Sequence, residues 1–287
     1  MSIFKTVIGA AVALGIAASP SAATELKFAN FMPGGHPYVK GAFEPFAEMV
    51  SEGTGGDVTV KIYSGGELGP GPVEQYSRAV DGVADLVIGL PGYTASNFPK
   101  TLLTELPGVI DAETGTAKVQ ANRDMLAKEY RRVALLALWN NAPNLLFTAE
   151  KPIRSLEDLK GLKIRVPSRN AGLVVEAWGA SPVSMPVSEI YNALQTGVID
   201  GAMIDGTATK AFKLGEVANY LTVGLETTNS PFFILMNRDA FDGLSGDDQQ
   251  AVLDAGRKAS DLGQQTQLAV AADGIAAFAA MDGKEVI

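Results

Sequence analysis

Between Gly161 and Asp205 the chain reads GLKIRVPSRNAGLVVEAWGASPVSMPVSEIYNALQTGVIDGAMID, and few folds accommodate such a stretch. Short β-branched runs alternate with segments of helical period, which predicts a strand at Lys163–Val166, a helix over about 170–178, a short strand at 184–186, a helix over 187–196 and a strand at 202–204. Strands that alternate with helices build an α/β layer. In open sheets of that kind, ligands sit outside the carboxyl ends of the strands. Arg165 stands where its strand runs out into Pro167, and its guanidinium can offer a planar fork of donors to a carboxylate. The residues alone leave an alternative open, an Arg paired with a neighbouring acid at the surface.

The first residues belong to a different kind of segment. Lys5, an apolar run from Val7 to Ala18 and the small residues Ser21, Ala22 and Ala23 have the three parts of an export signal, with cleavage expected after Ala23. The run is well short of the ~20 residues that span a bilayer, and no later apolar stretch approaches that length. The mature protein is therefore expected outside the cytoplasm and not embedded in a membrane. Cysteine is absent, so no disulfide supports the fold there. Lys5 is the only charge in the removed segment, so a net charge of -9 becomes -9 minus 1, or -10. That balance argues against nucleic acid, which needs a concentrated basic face.

Ahead of the central stretch, Leu26 to Phe31 reads as a buried strand that ends in a Pro-Gly-Gly-His-Pro loop at 33–37. His36, the one histidine, is read as a turn residue; no second His or Cys exists to build the usual metal site with it. The helix that follows should kink or break at Pro45. SGGELGPGP at 64–72 lacks the Gly-Lys-Ser/Thr ending of a phosphate loop and is read as a turn into a helix over 73–81. Residues 76–89 and 191–204 both read helix, Asp-Gly, strand, 191 minus 76 or 115 residues apart, which suggests two lobes of similar plan. A helix is expected over 116–130 and a strand over 133–139, followed by the turn residues Asn140, Asn141 and Asn144. Ser155 with Asp158, and Ser245 with Asp248, have the spacing of helix caps. The second opens one helix running to about residue 281, on the order of 50 Å long, enough to brace two lobes. Phe232 and Phe233 adjoin on a strand, so one is core and the other faces the cleft.

The runs GLKIRVP and GASPVSMPVSEIYNALQTGVIDG resemble the central segment of the solute-binding proteins of TRAP transporters, the DctP type. ELKFANFMPGGHP, VKIYSGGELG and SPFFILMN extend the similarity, in order, over most of the mature chain. The resemblance implies a two-lobe periplasmic binding protein of α/β class, type II-like, with a hinge and a long domain-spanning helix. Lobe I is expected at 24–142 plus 230–255 and lobe II at 143–229 plus 256–287. It further implies that Arg165 grips an organic acid and that the partner is a membrane permease driven by an ion gradient; the receptor is expected to be a monomer with no cofactor. The family's further C-terminal helices are not present after Ile287, so the sequence is read as an incomplete record.

Departures from the family's pattern narrow the expected solute. Members that take sugar acids carry a second Arg where this chain has Pro143 and Asn144, and place an amide where it has Phe31 and Met32. A pocket of Phe31, Tyr93, Trp139 and Phe232 with Arg165 at one end favours an apolar or aromatic monocarboxylate. Asn140, Asn144, Met185 and Asp205 complete the candidate set. Two alternatives are the receptor of an ATP-driven importer and a secreted hydrolase. Against the hydrolase, the chain has no Gly-x-Ser-x-Gly elbow and no cysteine nucleophile, and the protein is expected not to be an enzyme.

Overall fold

The computed structural model describes residues 23–225 and 227–287; the export signal expected at 1–23 lies outside them but for its last residue. The chain begins with β1 (Thr24–Ala29), a π-helical turn at Val39–Phe43, α1 (Glu44–Gly53), β2 (Val58–Tyr63), α2 (Gln75–Val80) and β3 (Leu86–Gly89). The π turn gives way to α-helix just before Pro45, because proline supplies no N–H to a helical bond. α3 (Gly115–Ala121) precedes β4 (Val133–Asn140). The helix expected to 130 stops at Ala121: the Asn122 side chain donates back to Lys118 O at 2.8 Å, and Gln120 and Arg123 reach over to the backbone of β4. Side chains that bond across to a neighbouring element compete with continuation of the helix.

After β4 come β5 (Leu145–Thr148), α4 (Leu156–Leu159), β6 (Lys163–Val166), α5 (Arg169–Ala177), β7 (Ser181–Ser184), α6 (Ile190–Gln195), β8 (Gly201–Ile204), α7 (Ala208–Ala211), α8 (Leu214–Val217) and β9 (Tyr220–Thr222). The order expected for the central stretch is the one observed, although β7 starts before residue 184. Gly179, at φ 82°, turns the chain at once, and Ser181 N–H donates to Leu162 O at 2.7 Å. The chain closes with β10 (Pro231–Asn237), α9 (Arg238–Asp242), α10 (Gly246–Ala279) and β11 (Glu285–Val286). Both helix caps read from the sequence are present, at Ser155 and Ser245.

The strands form two separate sheets. One has five strands in the order β2-β1-β3-β10-β4 and the other six in the order β11-β9-β5-β8-β6-β7. This is the two-lobe α/β plan. β10 returns to the first sheet antiparallel to β3 and β4, so the chain crosses between lobes at 141–144 and again before Ser230. The two crossings bond to each other: Asn141 N–H donates to Ser230 O at 3.0 Å and Asn144 N–H to Thr228 O at 2.9 Å. α10 makes the third crossing. Its 34 residues span about 50 Å and pack on β4 and α1 of one lobe and α7 and β11 of the other. Gly263 still lies against the Trp139 ring of the first sheet, so the lobe division expected at residues 255 and 256 comes too early along this helix.

The 115-residue echo is real, but Asp-Gly is not what carries it. Gly82 and Gly197 both end a helix at positive φ, 68° and 70°. Three residues later, Asp85 and Asp200 each accept the backbone N–H of the neighbouring parallel strand, from Lys27 and Lys163, at 2.7 Å. Asp81-Gly82 ends a helix whereas Asp200-Gly201 opens a strand, so the two dipeptides are not equivalent. The Gly-rich loop is held by the Arg78 guanidinium, which donates to the carbonyls of Pro70 and Gly71.

Candidate functional site

Arg165 lies on β6 between Val183 of β7 and Ala202 of β8, and its side chain emerges where these strands end. It is 1% exposed, not at the surface as the alternative reading had it. Nε donates to Met185 O at 3.0 Å, Nη1 to Met203 O at 3.0 Å and Nη2 to the Tyr93 hydroxyl at 3.3 Å. A guanidinium carries five N–H donors; these three bonds leave one on each terminal nitrogen. Among the described residues no carboxylate lies within the 4.0 Å of an ion pair with it. Burial lowers its pKa, while the Tyr93 hydroxyl and the Asp205 carboxylate oppose that shift. A guanidinium this strongly basic stays charged regardless.

The side chain faces a small cavity of about 40 Å³ between the lobes. Phe31, Tyr93, Asn144, Asp205 and Phe232 of the expected set line it with Arg165. Phe232 is the cleft-facing member of its pair, and Phe233 packs with Phe98 on the other face of the sheet.

Three expected residues do not line the cleft. Trp139 is fully buried one layer behind, stacked on Phe232 at 5.7 Å with its ring N–H donating to the Tyr38 hydroxyl at 3.0 Å. Strand alternation turns Asn140 to the opposite face of β4, where neither polar atom of its side chain has a partner. Met185 contributes its carbonyl to Arg165 rather than its side chain to the wall.

The polar groups around the cleft are largely committed to the hinge. Asn141 donates to Asp205 Oδ2 at 3.2 Å and accepts from Ser230 N–H at 2.6 Å, and Asn144 donates to the Thr228 hydroxyl at 2.8 Å. Asp205 also accepts from Thr207 N–H at 2.9 Å; burial pushes its carboxyl pKa up, and bonds from Thr207 and Gln267 pull it back. The wall includes His36, Tyr38, Asn141 and Phe212, which sequence reasoning missed. The Pro-Gly-rich loop at 33–37 was the available signal for the first two. Nothing local singled out Phe212, which reaches the cleft only by the packing of α7.

Beside the cleft the two lobes meet at a seam. Asn170, at the start of α5, donates to Leu102 O at 2.9 Å. Gly92 lies so close to Pro167 and Ser168 that a Cβ there would stand 3.0 Å from the Ser168 side chain. Glu105 is buried in this seam, which pushes its pKa up to about 7 against the pull of Ser168 and Asn170. The raised value means that the closed seam favours the protonated acid. Closure is therefore fully supported below the ordinary carboxylate pKa and loses that support as pH rises to about 7. His36, held down to about 4 by burial, acts in the opposite sense, contributing above its ordinary value and losing that contribution as pH falls. Comparison with Glu105→Gln isolates the first effect. The ratio of wild-type to variant affinity for a bound acid should fall on the order of tenfold between pH 5.5 and 8 by calorimetry; a constant ratio would show that the seam does not couple to binding.

The family model described as bacterial extracellular solute-binding protein, family 7 (DctP), matches residues 28–287. Among relatives, the uncharacterized protein YiiZ of Salmonella typhimurium is 31% identical over 77% of this chain and 69% of its own length. The ectoine-binding periplasmic protein TeaA of Halomonas elongata is 32% identical over 71% of this chain and 62% of its own. A TRAP solute-binding protein of Rhodoferax ferrireducens, solved with copurified benzoate, superposes with a TM-score of 0.85 at 29% identity over 92% of this chain and 84% of that one. A marine metagenome TRAP solute-binding protein specific for aromatic acids, solved with 3-hydroxybenzoate, gives 0.83 at 30% identity over 93% and 85%. With its fold shared and its length matched from residue 28 onward, the chain belongs to family 7 of the bacterial extracellular solute-binding proteins, the DctP family.

Proposed function

We propose that the protein is an extracytoplasmic receptor that captures a small organic acid between its lobes and delivers it to a TRAP-type permease, without chemical conversion of the solute. The observation that carries this is Arg165: a buried cation, two of its donors free, with no ion-pair partner among the described residues. A buried charge without a counter-charge is costly, and a carboxylate on those two donors supplies one with the strongest hydrogen-bond geometry available to an Arg. Residues 24–142 with β10 and the first part of α10 would form one lobe and 143–229 the core of the other. The crossings at 141–144 and 227–230 would act as the hinge. Closure then follows from the solute's greater affinity for the closed state. Residues 1–23 would direct export, the receptor would act as a monomer, and among the described residues no helix is long and apolar enough to cross a membrane.

The solute is an apolar or aromatic monocarboxylate. Phe31, Tyr38, Tyr93, Phe212 and Phe232 present rings to the cleft, and Asn141, Asn144 and Ser230 are occupied by the hinge. Asp205 is the acidic residue in the wall, and its oxygens already accept from Asn141 and Thr207, so a second carboxylate on the solute would find no donor there. The relatives solved with benzoate and 3-hydroxybenzoate support this choice. A thermal-shift series with benzoate, mandelate, succinate and galacturonate tests it. The aromatic acids should raise Tm by about 5–10 °C at a hundredfold excess over Kd. A shift with galacturonate or succinate alone would overturn it.

A further inference from the structure

His36 is 5% exposed and lies between two other residues of the cleft wall, its ring 5.1 Å from Tyr38 and 5.6 Å from Phe212. Its backbone is held by bonds to Pro33 O and from Val39 N–H, both at 2.9 Å. Nδ1 accepts the backbone N–H of Tyr38 at 3.2 Å. An accepting Nδ1 carries no proton, so the neutral ring has its proton on Nε2. Burial holds the imidazolium off down to about pH 4. Nε2 itself makes no hydrogen bond with the described residues, and unlike the fully buried side-chain atoms that lack a partner it keeps accessible surface. Arg165 donates its three bonds to Met185, Met203 and Tyr93 from β6, whereas His36 stands in the loop after β1.

We infer that His36 presents Nε2–H to the bound solute as a fixed neutral donor, and that the solute carries an uncharged oxygen, a hydroxyl or carbonyl, in addition to the carboxylate on Arg165. This rests on the acid-binding role proposed above and adds to it a rule for choosing among aromatic acids. A solute that shuts water away from this N–H without giving it an acceptor makes it costly to leave unmet, and an acid lacking the second oxygen does so. A site built around a polar group discriminates far better against the analogue that lacks its partner than an apolar wall does between two apolar analogues.

The test compares matched acids by calorimetry: benzoate with 3- and 4-hydroxybenzoate, and phenylacetate with mandelate. The full chain should bind at least one oxygenated acid ten times or more tightly than its parent. His36→Phe should bring that ratio to within about threefold of unity, and His36→Gln, which keeps an N–H, should restore part of it. Because the chain has one histidine, its imidazole signals in nitrogen-15 spectra need no assignment. They should show the Nε2–H form from pH 5 to 8, with that proton moving downfield when the oxygenated acid binds. An unchanged ratio in His36→Phe, or an Nε2–H signal that ignores the solute, overturns the inference, including the case in which water alone meets the donor. If Arg165→Ala meanwhile abolishes binding of every acid, only the role of His36 falls. If Arg165→Ala binds the acids normally, the site itself is wrong and His36 falls with it.

Discussion

Arg165→Ala is expected to weaken acid binding by about 10³-fold, with apo Tm changed by no more than a few degrees. Removing one partner of a buried, hydrogen-bonded charge pair costs 2–5 kcal/mol or more, much of it the penalty on the charge left behind. Here that is the solute carboxylate, which would enter a cleft whose wall, without Arg165, holds no other Arg or Lys among the described residues. The fold is expected to tolerate the change because the guanidinium's protein partners are two carbonyls and a hydroxyl, neutral groups of which Met185 O and the Tyr93 hydroxyl lie in part-buried contacts that water can replace. Arg165→Lys should recover part of the affinity. An ammonium supplies charge but not the planar pair of donors, and it cannot reach Met185 O, Met203 O and Tyr93 at once while also holding a carboxylate. Calorimetry with benzoate or its hydroxylated relatives checks the first expectation and ligand-free thermal unfolding the second. Binding within tenfold of wild type in Arg165→Ala would remove the basis of the proposed function.

Gly274→Ala should be the most destabilising small substitution in the long helix, at ~3 kcal/mol or about 10 °C in Tm. Ala is ordinarily the better helix former by nearly 1 kcal/mol, so the expected sign is reversed by packing. A Cβ at Gly274 would run into the backbone carbonyl of Gly206, in the loop that carries Asp205 and Thr207, and a backbone cannot rotate away as a side chain can. The helix must shift off the second lobe, and the same shift disturbs the wall of the cleft. Affinity should therefore fall along with stability. Gly246→Ala serves as the control: nothing lies within 4 Å of a Cβ there, and Tm should stay the same or rise slightly. Equal Tm values for the two variants would mean that α10 is not clamped to the second lobe at Gly206.

The features that could be read from the chain are those whose causes lie within a few residues. Ser155 with Asp158 and Ser245 with Asp248 are bonds across one helical turn, so their spacing is their evidence. The alternation of strand and helix from Gly161 to Asp205, and the exit of the Arg165 strand into Pro167, follow in the same way from local period and from proline's missing donor. Helix ends were less legible. The segment after Ala121 has helical composition, yet it is diverted by side-chain bonds to β4, a strand the local window does not contain.

By itself, then, the sequence determined that the chain is α/β in two lobes, that a long capped helix follows, and that Arg165 stands at a strand end. Only the tertiary structure decided which groups meet the solute. Period two says that Phe232 and Phe233 point opposite ways, but the choice of face depends on what covers each, and the covering residues are distant: Trp139 stacks on Phe232 from another strand and is held by Tyr38, 101 positions away in the chain. The same holds for the asparagines at 141 and 144, spent on a second crossing 89 and 84 residues later, and for His36, which acquires a place in the wall from Phe212. Burial, and with it the role of a buried polar group, is a property of the surroundings that packing supplies, and no local pattern encodes it.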